Sequence, residues 1–367
     1  MKIAVLIDTW FPFVGGGQIN AWEISRRLAQ NNVEVEVITR NCGVDFHKSQ
    51  KNLKVTKLGP PSKPANDTAR IKYLVQAFLY LLNKDYDLLV AHTFLPGLVV
   101  RLLMLTQGKR AVLVVHGSSI GSQLNKGFKL WLEKFILTRI KYSAQITVSR
   151  DFFKIDNVNK DIVYIPNGFD PVYLKHNSSK TSNSNTLLFI GRLHPQKNLI
   201  CLIEAMKILK SEANPANLTI IGDGPQKQEL QHLIKKYALQ NIVTLVGEKS
   251  KEQLISYYQH SMAFILPSIY EGQPLTLLEA WASKLPVIVS KTGDNMYLVK
   301  DGENGYFIQN QNDPKSIAQT IKKALKNPNL KKLGQNGYNL VKDKYTWENS
   351  ARETKKLYEK ILKSSHD

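Results

Sequence analysis

The chain has only two cysteines, Cys42 and Cys201, among 367 residues. That scarcity excludes a disulfide framework and a cysteine-based structural metal site. Long apolar runs are missing too. The opening MKIAVLIDTW holds a short apolar run closed by Asp8, too short for a signal-peptide core and without a small-residue cleavage pattern, so it reads as a buried first strand. The most apolar later stretch, 88–105, is interrupted by His92, Pro96, Gly97 and Arg101. It falls short of the roughly twenty apolar residues that a membrane span needs. Acidic residues are in deficit: 30 Asp and Glu face 50 Lys and Arg, a formal charge of +20. The excess is shared equally between 1–170 and 171–367, and RNP, zinc-finger and basic-zipper patterns are absent. Both facts count against a nucleic-acid partner.

What is present is an ordinary globular balance, 43% hydrophobic and 22% charged, in a chain long enough for about two domains. Short β-rich apolar runs alternate with helical patterns, the mark of repeated βα units around parallel sheets. Strands are predicted at 3–7, 33–39, 88–92, 111–115 and 145–148, then at 187–190, 218–221, 243–246, 263–266 and 287–289. Between the two series lies HNSSKTSNSN, 176–185, polar and small, with the composition of a linker. The predicted fold class is α/β, with two Rossmann-like doubly wound parallel-sheet domains. The boundary is expected near 170–185, giving domains 1–175 and 176–345. A terminal segment, 346–367, is predicted as a docking helix with Leu357, Ile361 and Leu362 on one side.

Ligands bind open parallel sheets at the carboxyl ends of the strands. After the first strand, Gly15, Gly16 and Gly17 precede a helix, which allows close backbone approach and aims amides at an anion. This is not a dinucleotide fingerprint, because Asn20 stands where a third spaced glycine would be. His116 follows the strand AVLVV and should project from its end. In LLFIGRLHPQKNL, Arg192 and Lys197 lie between strand and helix, a planar fork and a mobile charge suited to a diphosphate. In LPSIYEGQPLTLLEAWASKLPVIVS, Glu271 lies in the loop and Pro274 where a helix begins. The amides of Leu275 and Thr276 would face the crevice with the positive end of the helix dipole, and Glu279 falls one turn in.

Taken in order, the glycine loop, VVHG, TVSR, IPNGFD, FIGRLHPQKNL, IIGDGP and EGQPLTLLEA with its E-x7-E spacing resemble the retaining nucleotide-sugar glycosyltransferases of family 4 over nearly the full length. The resemblance implies a GT-B architecture, two such domains facing a central cleft, and sugar transfer from a nucleotide diphosphate donor with retention of configuration. It implies that Arg192 and Lys197 bind the diphosphate and that Glu279 holds the ribose hydroxyls. Glu271 and the backbone from Gln273 through Pro274 and Leu275 to Thr276 would hold sugar and phosphates. His116 would approach the transferred sugar, with Gly16 and Gly17 by the diphosphate and acceptor. No carboxylate nucleophile is assigned; a front-face mechanism is implied.

The chain departs from the family at Gln273, often aromatic, at Lys284, usually glycine, and at Tyr297, where a glutamate is usual. Asp85-Tyr86-Asp87 matches a metal-binding D-x-D pattern but precedes its strand, so it reads as a turn and no metal or other cofactor is expected. The expected partners are a nucleotide-sugar donor such as a UDP- or GDP-sugar, a saccharide or lipid-linked acceptor, and an anionic membrane surface. The location expected is the cytoplasm, peripheral on the membrane's cytoplasmic face, in cell-surface polysaccharide or glycoconjugate synthesis. The rival readings are a nucleotide-sugar 2-epimerase and a non-catalytic basic membrane-binding protein. Segment 127–143 carries Phe128, Trp131, Leu132, Phe135 and Ile136 on a broad arc, read as a core-packed helix in preference to an interfacial one.

Overall fold

The computed structural model describes residues 1–13, 15–43, 50–63, 65–117, 127–156, 159, 161–174, 185–211 and 216–364. The chain divides into two compact units, Met1–Asn167 with Trp347–Asp367, and Gly168–Thr346.

The first unit runs β1 (Lys2–Ile7), α1 (Gly16–Gln30), β2 (Glu34–Arg40), β3 (Leu53–Leu58), α2 (Asp67–Leu82), β4 (Leu88–His92), α3 (Phe94–Gln107) and β5 (Ala111–Val115). It continues through α4 (Gly127–Arg139), β6 (Ala144–Thr147) and β7 (Ile162–Tyr164). Its sheet is parallel, in the order β3-β2-β1-β4-β5-β6-β7. The second unit contains β8 (Thr186–Ile190), α5 (Leu199–Leu209), β9 (Asn217–Ile221), α6 (Lys227–Lys236), β10 (Val243–Gly247), α7 (Lys251–His260), β11 (Ala263–Leu266) and α8 (Leu275–Ala282). Then come β12 (Val287–Ser290), α9 (Asn295–Leu298), β13 (Gly305–Ile308), α10 (Pro314–Leu325) and α11 (Leu330–Val341). Its parallel order is β10-β9-β8-β11-β12-β13. Helix α12 (Trp347–Lys363) closes the chain.

Both sheets reverse direction of growth once, at β1/β4 and at β8/β11. Such a switch point leaves a crevice beyond the strand ends, because the connections on either side depart to opposite faces. The central strands β4, β5 and β11 are buried at every position, as strands covered on both faces must be. Three strands were absent from the prediction, β3, β7 and β13, and all three are sheet edges. An edge strand pairs on one side only, and β3 and β7 lack the continuous buried run that marks the centre.

The observed boundary lies between Asn167 and Gly168, upstream of the expected 170–185. Phe169 and Tyr173 are buried in the second unit's core, and the Phe169 amide donates to the Tyr345 carbonyl at 3.0 Å, which commits this stretch to the second unit. Most of the expected linker, 176–184, lies outside the described residues. Helix α12 packs on α1 of the first unit: Arg27 pairs with Glu348 at 2.6 Å, and Ser350 Oγ donates to the Pro166 carbonyl at 2.6 Å. Its buried face carries Trp347, Ala351, Tyr358 and Ile361, so of the predicted stripe only Ile361 is buried.

The reading of 127–143 as core-packed holds for one face only, where Leu137 and Tyr142 join the unit's core. The buried positions of α4 are Glu133, Ile136, Leu137 and Thr138, whereas Phe128, Trp131 and Phe135 are 71%, 57% and 44% exposed. The apolar arc is wider than the face that the sheet covers.

Candidate functional site

In the second unit, the loops after β8 and β11 meet at the switch point. A short 3-10 turn, Pro195–Lys197, follows β8, and Lys197 Nζ donates to Glu271 Oε1 at 2.6 Å. Their side chains are 18% and 7% exposed, so this is a largely desolvated ion pair in which each member needs the other. Backbone clamps hold the two loops in register. The Ile269 amide donates to the Gln196 carbonyl at 2.9 Å, and Gln196 Nε2 donates to the Tyr270 carbonyl at 2.9 Å. Asn198, at φ +57°, spans both sides by donating to the Pro267 and Gln311 carbonyls. Arg192 is exposed, and its guanidinium has no hydrogen bond or ion pair among the described residues. A free cation thus stands beside a neutralised one.

The glycines of IIGDGP explain themselves here. A Cβ on Gly222 or Gly224 would lie 2.0 Å from the Gly191 carbonyl oxygen or 2.4 Å from that of Leu193, so the β9 loop could not press against the β8 loop. Gly293 does the same for the β11 loop: at φ +53° its Cβ would fall 1.9 Å from the Glu271 carbonyl oxygen. Beside it, fully buried Asp294 accepts from Gln273 Nε2 at 2.7 Å, and its amide donates to the Gly272 carbonyl at 2.8 Å. Gln273, which replaces the family's usual aromatic residue, is therefore anchored to the TGDN loop.

Pro274 was expected as the first helical residue; it is instead the extended residue that caps α8, at φ −72° and ψ 126°. The Leu275 and Thr276 amides open the helix without a hydrogen-bond partner among the described residues, the arrangement that receives an anion. Four residues past Leu275, Glu279 accepts from the Tyr258 hydroxyl at 2.8 Å. Burial raises the Glu279 carboxyl to about 7, against the lowering effect of the Tyr258 hydrogen bond. Lys284 occupies its family's glycine position at φ +58°, a conformation that glycine adopts more readily.

The first unit has its own cluster at β1/β4. Helix α1 starts at Gly16 after Gly15, which caps it without a side chain. A Cβ on Gly17 would lie 3.2 Å from His116 Cδ2, so the glycine makes room for the imidazole. His116, at the end of β5, meets His92, at the end of β4: His116 Nε2 and His92 Nδ1 share a hydrogen bond of 2.8 Å. Burial pushes His116 down to about 4 and His92 well below the ordinary histidine range, so both rings are neutral near pH 7. His116 Nδ1 has no hydrogen-bond partner among the described residues. The ring lines a cavity of about 170 Å³ with Thr93, Phe94, Val115, Gly117, Glu133 and Leu137. Thr93, at φ +74° and ψ 171°, holds a backbone conformation nearly reserved for glycine.

Sequence reasoning missed His92, although it shares His116's signal: a polar residue at the end of a central strand, one strand away. The D-x-D acids stand before β4, where Asp87 Oδ2 accepts from the Lys2 amide at 2.6 Å. Among the described residues no cluster of three His, Cys, Asp or Glu is placed to hold a metal, and no helix is long and apolar enough to cross a membrane. A second cavity, about 350 Å³, is lined by Pro195, Asn198, Cys201, Glu204 and Gln226 among others, and by none of the charged candidates.

Two Rossmann-like units with crevices at their switch points define a GT-B glycosyltransferase. The family model described as Glycosyltransferase Family 4 matches 14–173, and that described as Glycosyl transferases group 1 matches 174–340; the chain belongs to the glycosyltransferases of the family 4 type. It is 28% identical to an uncharacterized glycosyltransferase of Methanocaldococcus jannaschii, over 98% of each chain. It is 29% identical to the UDP-Gal:α-D-GlcNAc-diphosphoundecaprenol α-1,3-galactosyltransferase of Escherichia coli, over 74% of this chain and 76% of that one. A sucrose-phosphate synthase from Thermosynechococcus elongatus shares the fold, with a TM-score of 0.87 at 22% identity over 99% and 100% of the two chains.

Proposed function

We propose that this glycosyltransferase moves a sugar from a nucleoside-diphosphate donor to a saccharide or lipid-linked acceptor, with retention of anomeric configuration and no metal. The observation that carries the reading is the β8/β11 crevice, where Arg192, the Lys197–Glu271 pair and the free amides of Leu275 and Thr276 converge. Arg192 and Lys197 bind the diphosphate and offset the charge that grows on it as the C1–O bond breaks. Glu279 accepts the ribose hydroxyls, and the backbone from Gln273 to Thr276 with Glu271 positions sugar and phosphate. In the first unit Gly16 and Gly17 admit phosphate and acceptor, and neutral His116 offers to a sugar hydroxyl its Nδ1, which has no partner among the described residues. The acceptor oxygen attacks from the face the diphosphate leaves, and its proton passes to the departing phosphate oxygen.

The acceptor in the Escherichia coli relative's name is a lipid-linked saccharide. That name and the basic charge support work at the cytoplasmic face of an anionic membrane, in cell-surface polysaccharide or glycoconjugate synthesis. The test is a panel of UDP-, GDP- and ADP-sugars, with and without acceptors, read by proton NMR at the anomeric position. Retained configuration in the product supports the reading. Interconversion of the donor's sugar without acceptor would replace it with epimerisation.

A further inference from the structure

Among the described residues, eight of the eleven large apolar side chains that stand exposed lie on the adjacent helices α2, α3 and α4. Helix α2 is apolar on two opposite faces. Its core face is Ala69, Tyr73, Ala77 and Leu81, while Ile71, Val75 and Leu79 form a second stripe that is 63%, 55% and 56% exposed. The first stripe is what the fold needs; the second has no partner among the described residues of the unit. Helix α3 packs between α2 and α4 and exposes Leu102 and Leu105. On α4, Phe128, Trp131 and Phe135 stack in a ladder, with ring centroids 5.5 and 5.6 Å apart.

The charges around this face are one-sided. Residues 67–141 contain eleven Lys and Arg against four Asp and Glu. Three of the four acids are occupied: Asp67 by Arg70, Asp87 by the Lys2 amide, and Glu133 by burial in α4. Lys72, Lys129, Lys134 and Arg139 stand exposed on the same helices. Aromatic rings among lysines suit the boundary between acyl chains and anionic headgroups, where each takes its own half. A second copy of the chain would fit poorly, because an isologous contact would set this positive face against itself.

We infer that the α2–α3–α4 face seats the protein on a bilayer containing anionic phospholipid, which deepens the peripheral-membrane part of the reading above by naming its surface. Trp131 gives a direct readout, since the other four tryptophans, Trp10, Trp22, Trp281 and Trp347, are buried. With vesicles of phosphatidylglycerol in phosphatidylcholine, its fluorescence should shift to the blue and be quenched by brominated acyl chains at low salt, and less so at high salt. Phosphatidylcholine alone should bind more weakly. Trp131→Ser, followed by flotation, and Phe135→Ser should each weaken association by about tenfold. Donor-sugar hydrolysis without vesicles should stay unchanged in both, since neither residue lines either cavity, and it also verifies folding. No association with anionic vesicles at low salt would overturn the proposal. So would association that both variants retain, or self-association of the wild type that both abolish. Loss of donor hydrolysis in the wild type would instead sink the transferase reading and leave this one standing.

Discussion

The two switch-point crevices occupy equivalent places in equivalent sheets, yet they are made of different chemistry. At β8/β11 the second unit collects charge: Arg192 free, Lys197 tied to Glu271, Glu279 raised by burial, and a helix start with open amides. At β1/β4 the first unit sets glycines at a helix start beside two imidazoles that desolvation keeps uncharged, His92 buried and His116 half-buried, with Glu133 as the one acid lining the same cavity among the described residues. One fold therefore supplies two kinds of site, and the difference lies in the loops. The cations of the first kind suit a diphosphate. A neutral imidazole suits a neutral sugar hydroxyl, because it can hydrogen-bond without a further charge being desolvated.

If that division holds, the largest effect comes from the free cation. Arg192→Ala should lower donor turnover about a hundredfold or more with the melting temperature unchanged, because the charge is exposed and serves no packing role. A fall of only a few-fold would show that the phosphates are held elsewhere. Next in size is the desolvated pair. Glu271→Gln leaves Lys197 without its counter-charge and should cost about 2–3 kcal/mol in denaturant unfolding. An unchanged midpoint would mean that the pair is solvated.

The titrations of the two units should oppose each other. Glu279 titrates near 7 in the folded chain and near the ordinary carboxyl value unfolded, so the folded state holds the extra proton between those limits. Its contribution to stability is present below about 4.5 and is lost as pH rises toward 7. His116, lowered to about 4, contributes stability above its unfolded value near 6.5 that is lost on acidification toward 4. Glu279→Gln should remove the first slope from a pH series of unfolding midpoints and spare the second. It should also flatten the rise in nucleotide affinity expected up to about pH 7, where ribose hydroxyls favour the carboxylate. The smallest effect concerns backbone strain. Thr93→Gly should stabilise the first unit by about 1 kcal/mol, by relieving a conformation that is strained for any residue with a Cβ. A loss of stability would show that the threonine side chain matters more than the strain.

The strands with continuous apolar runs were legible in the sequence because strands buried on both faces must be apolar throughout. The edges β3 and β7 were not, since pairing on one side asks less of the side chains; β13 is largely buried but only four residues long and opens on a glycine. Glu271, Arg192 and Lys197 could be read from their places after strands, but their pairing could not: Lys197 and Glu271 are brought together by the adjacency of β8 and β11. His92 was hidden for the same reason, since its meeting with His116 depends on β4 lying beside β5. Helix α4 shows the opposite failure. Its composition displays an apolar arc without saying which part the sheet covers, and the part left over is the aromatic ladder.

The most direct test of the division is calorimetric titration with UDP, GDP and ADP of the wild type, Arg192→Ala and His116→Ala. At least one nucleotide should bind the wild type, Arg192→Ala should weaken that binding by about tenfold or more, and His116→Ala should leave it unchanged while slowing sugar transfer. Nucleotide binding that survives Arg192→Ala and is lost in His116→Ala would contradict the account.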